Sequence, residues 1–280
     1  MGSVLKDAAL GVCVALGRLF RVPGLSVLAY HSIDESGSYM STSAGMFRVQ
    51  MEWLRDHDFR AISMRQLFER GIPQSPPERH VVLTFDDGLA NFAETAWPVL
   101  REMSFSATAY VPTDFIGAET SWYADYGLPS MPCMAWDALR EMQREGADIQ
   151  SHASSHRDLT RLPPDELRGE LRRSKAVLED GLGDRVEHLA YPFGAVAPAV
   201  REAAREAGYR SAAVLGWGKW QANTDPHEIP RDSLNRIAIR SSRTARLSIE
   251  AGARGTFGWY AEAKARVRGL YAVPPHLQDH

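Results

Sequence analysis

The residues of this chain best suited to chemistry follow two predicted strands. Residues 80–88 read HVVLTFDDG, so an apolar strand ends in two adjacent aspartates and a glycine. Residues 148–156 read DIQSHASSH, so the second predicted strand is followed by His152 and His156, four positions apart. Two neutral imidazoles and one carboxylate form a set of three metal ligands that leaves positions open for water and substrate. An Asp-Asp-Gly sequence alone is also typical of a turn, but the aspartates and the two histidines together predict a divalent-cation site.

The elements that must carry these residues follow from the hydrophobic pattern. Short β-branched runs alternate with apolar residues at helical spacing from residue 26 onward. Such alternation is typical of a parallel sheet with crossover helices, and seven or eight units in one domain favour a closed barrel over an open sheet. In such barrels the residues after each strand converge on one face. The predicted strands are residues 26–33, 60–63, 80–85, 107–111, 148–151, 187–191, 211–215 and 236–239.

Length and charge restrict the class of protein. The chain has 280 residues, 44% of them hydrophobic, which suffices for one barrel domain. A net charge of −3 provides no electrostatic footprint for nucleic acid, so no nucleic-acid partner is expected. We divide the chain into an N-terminal amphipathic segment at residues 1–25, a single barrel domain at residues 26–240, and a C-terminal helical extension and tail at residues 241–280.

The two ends of the chain bear on its location. A short apolar run at residues 8–16 is not followed by a convincing cleavage site, and it is too short to span a bilayer. Basic residues with Phe257, Trp259 and Tyr260 in the C-terminal extension would favour contact with a membrane surface. We therefore predict a cytoplasmic protein or one held peripherally at a membrane, rather than an exported one.

A known family shares these motifs. TFDDG, then a His-x-x-x-His pair, then YPFG at residues 191–194 resembles the polysaccharide deacetylase family, also called carbohydrate esterase family 4. The resemblance runs from about residue 26 to about residue 240. It implies a distorted (β/α)7 barrel and a metal-dependent hydrolase that removes N-acetyl groups from an amino sugar in a polysaccharide or glycoconjugate.

The resemblance also implies roles for individual residues. Asp87, His152 and His156 would hold the metal. Asp86 would be the general base, and the backbone amide of Phe193 would help to bind the oxyanion. Zinc is the first expectation for two histidines and one aspartate, although nickel, cobalt or iron would satisfy the same ligands.

Two departures from the family pattern point to a subgroup. Ala190 stands where the family usually has an arginine, and no histidine after Gly194 lies in a matching strand. Instead, SVLAYHSI places His31 near the amino terminus, which resembles the circularly permuted poly-N-acetylglucosamine deacetylases. In that subgroup a Tyr-His pair supplies the general acid, so His31 would have this role. Arg231, in EIPR, would replace the missing arginine, and Arg236 is a competing candidate.

Other readings stay open at this point. Trp122, Tyr123 and Tyr126 could line a sugar-binding groove or simply pack in the core. A related enzyme could act on a formamido or O-acetyl group of a lipid-linked sugar. A catalytically silent sugar-binding barrel is the alternative from another class, although it has no need of the full set of acidic and histidine residues.

Overall fold

A ring of parallel strands builds the protein. The structure is a computed structural model that describes residues 2–19, 22–69, 79–216, 218–221, 223–234 and 241–256. In these ranges the strands are β1 (Ser26–Tyr30), β2 (Ser32–Ile33), β3 (Ser41–Thr42), β4 (Arg60–Ile62), β5 (His80–Phe85), β6 (Thr108–Val111), β7 (Asp148–Ser151), β8 (His188–Ala190), β9 (Ser211–Leu215) and β10 (Ile229–Ser233).

The ring closes because β1 has two partners. β1 pairs in parallel with β5 on one side and with β10 on the other, and β10 continues through β9, β8, β7 and β6 back to β5. The described residues thus form a closed barrel of seven parallel strands, as the sequence predicted. β4 pairs with the amino half of β5, and β2 and β3 form a separate small ladder.

Helices surround the barrel. They are α1 (Gly2–Leu19), α2 (Ala44–Asp56), α3 (Met64–Glu69), α4 (Trp97–Glu102), α5 (Trp136–Arg144), α6 (Pro164–Leu182), α7 (Pro198–Glu206) and α8 (Ser242–Arg254). Successive side chains of a strand point to opposite faces of the sheet, so the core has two parts. Val27 and Val82 belong to the smaller buried cluster, and Leu28 and Leu83 belong to the larger one.

The amino end of the barrel is closed by α3. Phe68 of α3 belongs to the same buried cluster as Val27. The amide of Met64 donates to Oγ1 of Thr108, and the amide of Arg65 donates to a carboxylate oxygen of Asp148. Since Thr108 and Asp148 begin β6 and β7, α3 covers the amino ends of the strands. The carboxyl ends, where the candidate residues lie, stay on the opposite face.

The last strand of the barrel differs from the prediction. β10 occupies Ile229–Ser233, whereas the predicted strand at 236–239 lies outside the described residues. Pro230, Arg231 and Asp232 interrupt any apolar pattern in β10, so hydrophobic periodicity does not reveal this strand. The predicted strand 26–33 is in fact two strands, β1 and β2.

The two terminal helices pack together. Arg18 of α1 donates to both carboxylate oxygens of Glu250 in α8, at 2.7 and 2.8 Å. α8 begins near the predicted residue 241 and ends at Arg254, because Gly255 adopts a left-handed φ of 71°. The aromatic residues predicted to touch a membrane lie beyond the described part. No helix within that part has the length and apolar character required to cross a bilayer. The proposed domain boundaries stay a prediction.

Candidate active site

Asp87, His152 and His156 converge at the carboxyl face of the barrel. Each offers one ligand atom, and these atoms lie within 4.8 Å of one another. Oδ1 of Asp87 is 3.5 Å from Nε2 of His152 and 3.2 Å from Nε2 of His156. Ligands about 2.0–2.2 Å from one tetrahedral zinc lie roughly 3.4 Å apart. The donor types and their separations therefore fit a divalent cation such as zinc.

Four residues at this face have a left-handed backbone. Asp87, Ala153, His156 and Phe193 have φ values of 68°, 60°, 54° and 61°. Each such conformation costs a non-glycine residue about 1–3 kcal/mol, and such strain is typical of functional sites. The backbone amide of Asp86 still continues the β5 ladder, because it donates to the carbonyl of Tyr30 at 3.0 Å. The left-handed conformation begins at the next residue, so the side chains of Asp86 and Asp87 point to different parts of the site.

Each histidine of the cluster is held differently. Nδ1 of His152 lies 2.8 Å from the carbonyl of Ala190, so it carries the proton and leaves Nε2 as the electron-pair donor. The ring of His156 stacks on Trp122, with centroids 4.3 Å apart and an interplanar angle of 21°. The rings of Phe193 and His156 pack edge to face, with their centroids 4.8 Å apart.

The electrostatics of Asp87 suit a ligand. Burial opposes its ionisation, but the interactions with His152, His156 and His31 together outweigh burial and hold the pKa of Asp87 well below its usual value. Asp87 is therefore a carboxylate across the neutral range, as a metal ligand must be.

Asp86 is paired with Arg231. The guanidinium donates to Oδ1 at 2.5 Å and to Oδ2 at 2.8 Å, and it also donates to Oγ1 of Thr84 at 3.1 Å. Arg231 is fully buried and lies 5.2 Å over the ring of Tyr110. Burial raises the pKa of Asp86, but the charge and hydrogen bonds of Arg231, together with His152 and His31, lower it overall. Arg236, the competing candidate, lies outside the described residues.

His31 completes this group. Its Nε2 is 3.9 Å from Oδ2 of Asp86, and the side chain is buried. Burial lowers the pKa of His31, and the carboxylates of Asp87 and Asp86 offset only part of that effect. The preceding Tyr30 points away from the site, because its hydroxyl donates to Gln50.

Phe193 lies in the short 3₁₀ turn Pro192–Gly194. A Cβ at Gly194 would be only 2.4 Å from the amide nitrogen of Leu215, so only glycine allows the turn to approach β9 this closely. The turn thereby brings Phe193 next to His156. The structure thus brings seven of the residues predicted for the site together at one end of the barrel: His31, Asp86, Asp87, His152, His156, Phe193 and Arg231.

The sequence interpretation missed two supporting residues. Tyr123 is buried, and its hydroxyl donates to Oδ2 of Asp87 at 2.6 Å. Tyr123 therefore packs against the site and does not line an open sugar-binding groove. Glu170 of α6 is buried and accepts hydrogen bonds from the amides of Ser154 and Ser155, between the two histidines. A signal for Glu170 existed, because it is a carboxylate on the face of α6 that also buries Leu167 and Leu171. No sequence signal links Tyr123 to Asp87.

A closed parallel barrel with an Asp-His-His cluster beside an arginine-paired aspartate defines an α/β-barrel protein with a candidate metal centre. The sequence profile of the polysaccharide deacetylase family matches residues 74–212. The chain belongs to the polysaccharide deacetylase family, which confirms the resemblance seen in its motifs.

Relatives and solved structures agree with this assignment. The chain is 26% identical over 220 residues to the Bacillus subtilis protein YxkH, named for the same family, covering 77% of this chain and 71% of that one. It is 22% identical over 211 residues to a poly-beta-1,6-N-acetyl-D-glucosamine N-deacetylase of Staphylococcus aureus, covering 72% and 70%. A polysaccharide deacetylase structure from Bacillus cereus has a TM-score of 0.67, with 25% identity over 81% of this chain and 69% of that one. IcaB from Ammonifex degensii has the same fold, with a TM-score of 0.67 at 22% identity, covering 83% and 99%.

Proposed function

We propose that this protein is a metal-dependent hydrolase that removes N-acetyl groups from an amino sugar in a polysaccharide or glycoconjugate. The observation that carries the proposal is the bidentate pairing of Asp86 with Arg231 beside the Asp87, His152 and His156 cluster. A protein that only binds sugar has no need of an ionised, oriented carboxylate next to a ligand set. The N-acetylglucosamine polymer named for the Staphylococcus aureus relative supplies the substrate class.

The cluster would hold the cofactor. Asp87, His152 and His156 are the proposed ligands, with zinc the first candidate and nickel, cobalt or iron compatible with the same donors. A divalent cation bound there would polarise the amide carbonyl and lower the pKa of a water molecule.

Asp86 is the proposed general base. Because its pKa is lowered, Asp86 is ionised at neutral pH and can accept a proton. The two hydrogen bonds from Arg231 fix the carboxylate plane and leave each oxygen a further lone pair. Arg231 therefore acts as a positioning residue, which is the role proposed for it in place of the arginine that Ala190 replaces.

His31 is the proposed general acid. Its Nε2 would deliver a proton to the departing sugar nitrogen, from a position 3.9 Å from Oδ2 of Asp86. A lowered pKa makes the imidazolium a stronger acid toward that nitrogen. The backbone amide of Phe193, held in its left-handed turn, is the proposed donor to the oxyanion.

The test is release of acetate from N-acetylglucosamine oligomers after loading with Zn²⁺, Co²⁺ or Ni²⁺, with and without a chelator. We expect chelator-sensitive release by the wild type, lost in Asp86→Asn and kept in the control Asp137→Asn, an exposed aspartate of α5. Release only from formamido or O-acetyl substrates would replace the N-acetyl assignment with that rival. Inactivity on all three with the metal bound would favour the silent sugar-binding barrel.

We also propose a peripheral membrane contact through α1. Val12 and Leu19 are 57% and 76% exposed, and with Leu16 they form an apolar stripe at helical spacing. Co-sedimentation with anionic vesicles at low salt tests this contact. We expect binding by the wild type and its loss in a Leu16→Gln, Leu19→Gln double variant. Failure of the wild type to bind would overturn the proposed membrane contact.

A further inference from the structure

We infer that Tyr123 is a positioning residue for the metal centre, whose hydroxyl occupies Oδ2 of Asp87 and leaves Oδ1 as the oxygen that ligates the cation. The inference rests on the proposed metal-dependent function. Its starting point is the hydrogen bond of 2.6 Å from Oη of Tyr123 to Oδ2 of Asp87. The other oxygen, Oδ1, is the one that lies 3.2–3.5 Å from the two imidazole nitrogens.

The backbone around Tyr123 fixes it relative to Asp87. Tyr123 lies in the 3₁₀ segment Ser121–Tyr126, which follows Thr120. The amide of Thr120 donates to the carbonyl of Met131 at 2.9 Å, and the amide of Met131 donates back to the Thr120 hydroxyl at 2.9 Å. The segment that begins at Met131 then bonds to the chain just after Asp87, because the amide of Met134 donates to the carbonyl of Gly88 at 2.8 Å. These hydrogen bonds therefore connect the segment that carries the tyrosine to the backbone next to the aspartate.

The same segment also holds a second ligand. Trp122, next to Tyr123, stacks on His156, and the thiol of Cys133 lies 3.6 Å from the carbonyl oxygen of Asp87 as a weak donor. Residues 120–134 thus contact two of the three ligands while contributing none. We call these residues the clamp segment.

The hydrogen bond has two chemical consequences. A carboxylate with one oxygen held by a buried donor presents the other oxygen, so Asp87 would bind a cation through a single atom. A donor to a ligand also withdraws charge from that ligand and fixes its orientation, and partners of this kind typically change metal affinity roughly 10–100-fold. The clamp segment would therefore set the affinity of the site and the way in which Asp87 binds the cation.

Tyr123→Phe removes the hydroxyl and keeps the ring. We expect the variant to bind Zn²⁺ roughly 10–100-fold more weakly than the wild type, measured without substrate by competition with a chromophoric chelator. The matched control is Tyr209→Phe, because Tyr209 is as buried as Tyr123, at 3% exposure each, and its hydroxyl bonds to Leu171 and Ser174, neither of which is a ligand of the cluster. The control should bind Zn²⁺ like the wild type.

Two outcomes separate this inference from the proposed function. Equal Zn²⁺ affinity in folded Tyr123→Phe and wild type would overturn the inference and leave the deacetylase proposal intact. Absence of Zn²⁺, Co²⁺ and Ni²⁺ binding by the wild type would overturn the metal centre and the inference with it. A crystal structure of the Zn²⁺-loaded wild type tests the same point without a variant: Asp87 should bind through Oδ1 with Tyr123 on Oδ2, and bidentate Asp87 would contradict the inference.

Discussion

Two sides of the candidate site meet between residues 86 and 87, and they are built in opposite ways. The ligand side consists of Asp87, His152 and His156, which follow β5 and β7, and Asp87 and His156 have a left-handed backbone. The closure side consists of Asp86, His31 and Arg231. Its members lie at the ends of β5 and β1 and within β10, and 145 positions of sequence separate Asp86 from Arg231. The ligand side therefore depends on local turns, whereas the closure side exists only because β1 joins β5 to β10.

The largest effect should separate the two adjacent aspartates. Asp87→Ala removes a ligand, so we expect loss of both Zn²⁺ binding and activity. Asp86→Asn should lower kcat by about 10²- to 10⁴-fold, the usual range for removal of a general base, while Zn²⁺ affinity is kept. Chelator competition and acetate release measure the two effects in parallel. Loss of Zn²⁺ binding in Asp86→Asn would mean that the division into two sides is wrong.

The next effect concerns the stability of the closure side. Arg231→Gln leaves the Asp86 carboxylate buried without its partner, so we expect the free energy of unfolding to fall by about 3–5 kcal/mol. The double variant Asp86→Asn, Arg231→Gln removes the uncompensated charge and should recover part of that loss. Urea denaturation of both single variants and the double variant measures the coupling. Additive losses would show that the pair contributes nothing specific to closure of the barrel.

His31→Gln tests the closure side at its amino-terminal strand. As the proposed acid, His31 should contribute about 10²-fold to kcat, the lower end of the range for acid catalysis. We expect Zn²⁺ affinity to stay at the wild-type value, because His31 is not in the ligand cluster. A kcat within experimental error of the wild type would move the proton donor elsewhere and leave Asp86 and Arg231 as the closure side.

The same division determines what the sequence could predict. The ligand side was visible because its residues come shortly after predicted strands and have the types and spacing of metal ligands, and strand ends in a parallel barrel must share one face. His31 and Arg231 were named only through a family resemblance, since nothing in their local sequence shows that β1 and β10 are neighbours. β10 itself was missed because a proline and two charged residues hide it. Its charges are tolerated because Arg231 points inward onto Asp86.

Supporting residues were the hardest to predict. The hydrogen bond from Tyr123 to Asp87 spans 36 positions and depends on the path of the clamp segment, which has no regular periodicity. A tyrosine in such a segment suits both a sugar groove and a packed interior, and only the fold decides between them. Long-range contacts made by loops, such as this hydrogen bond, therefore cannot be predicted from sequence periodicity.

The smallest expected effect contrasts Asp86 with Asp232, the other aspartate beside Arg231. Asp232 is buried and accepts from the amide of Gly218 at 3.1 Å, and burial raises its pKa from 3.8 to about 7 against the opposing charge of Lys219. Between these pKa values the folded state binds more protons than the unfolded state, so the contribution of Asp232 to stability is complete below pH 3.8 and is lost as the pH rises to about 7. Asp232→Asn cannot ionise. Its stability relative to the wild type should therefore rise by roughly 2–3 kcal/mol from pH 5 to pH 8 in urea denaturation, because about two pKa units are crossed at about 1.4 kcal/mol each. Parallel pH profiles would instead mean that Asp232 is ionised in the folded protein, as Asp86 is.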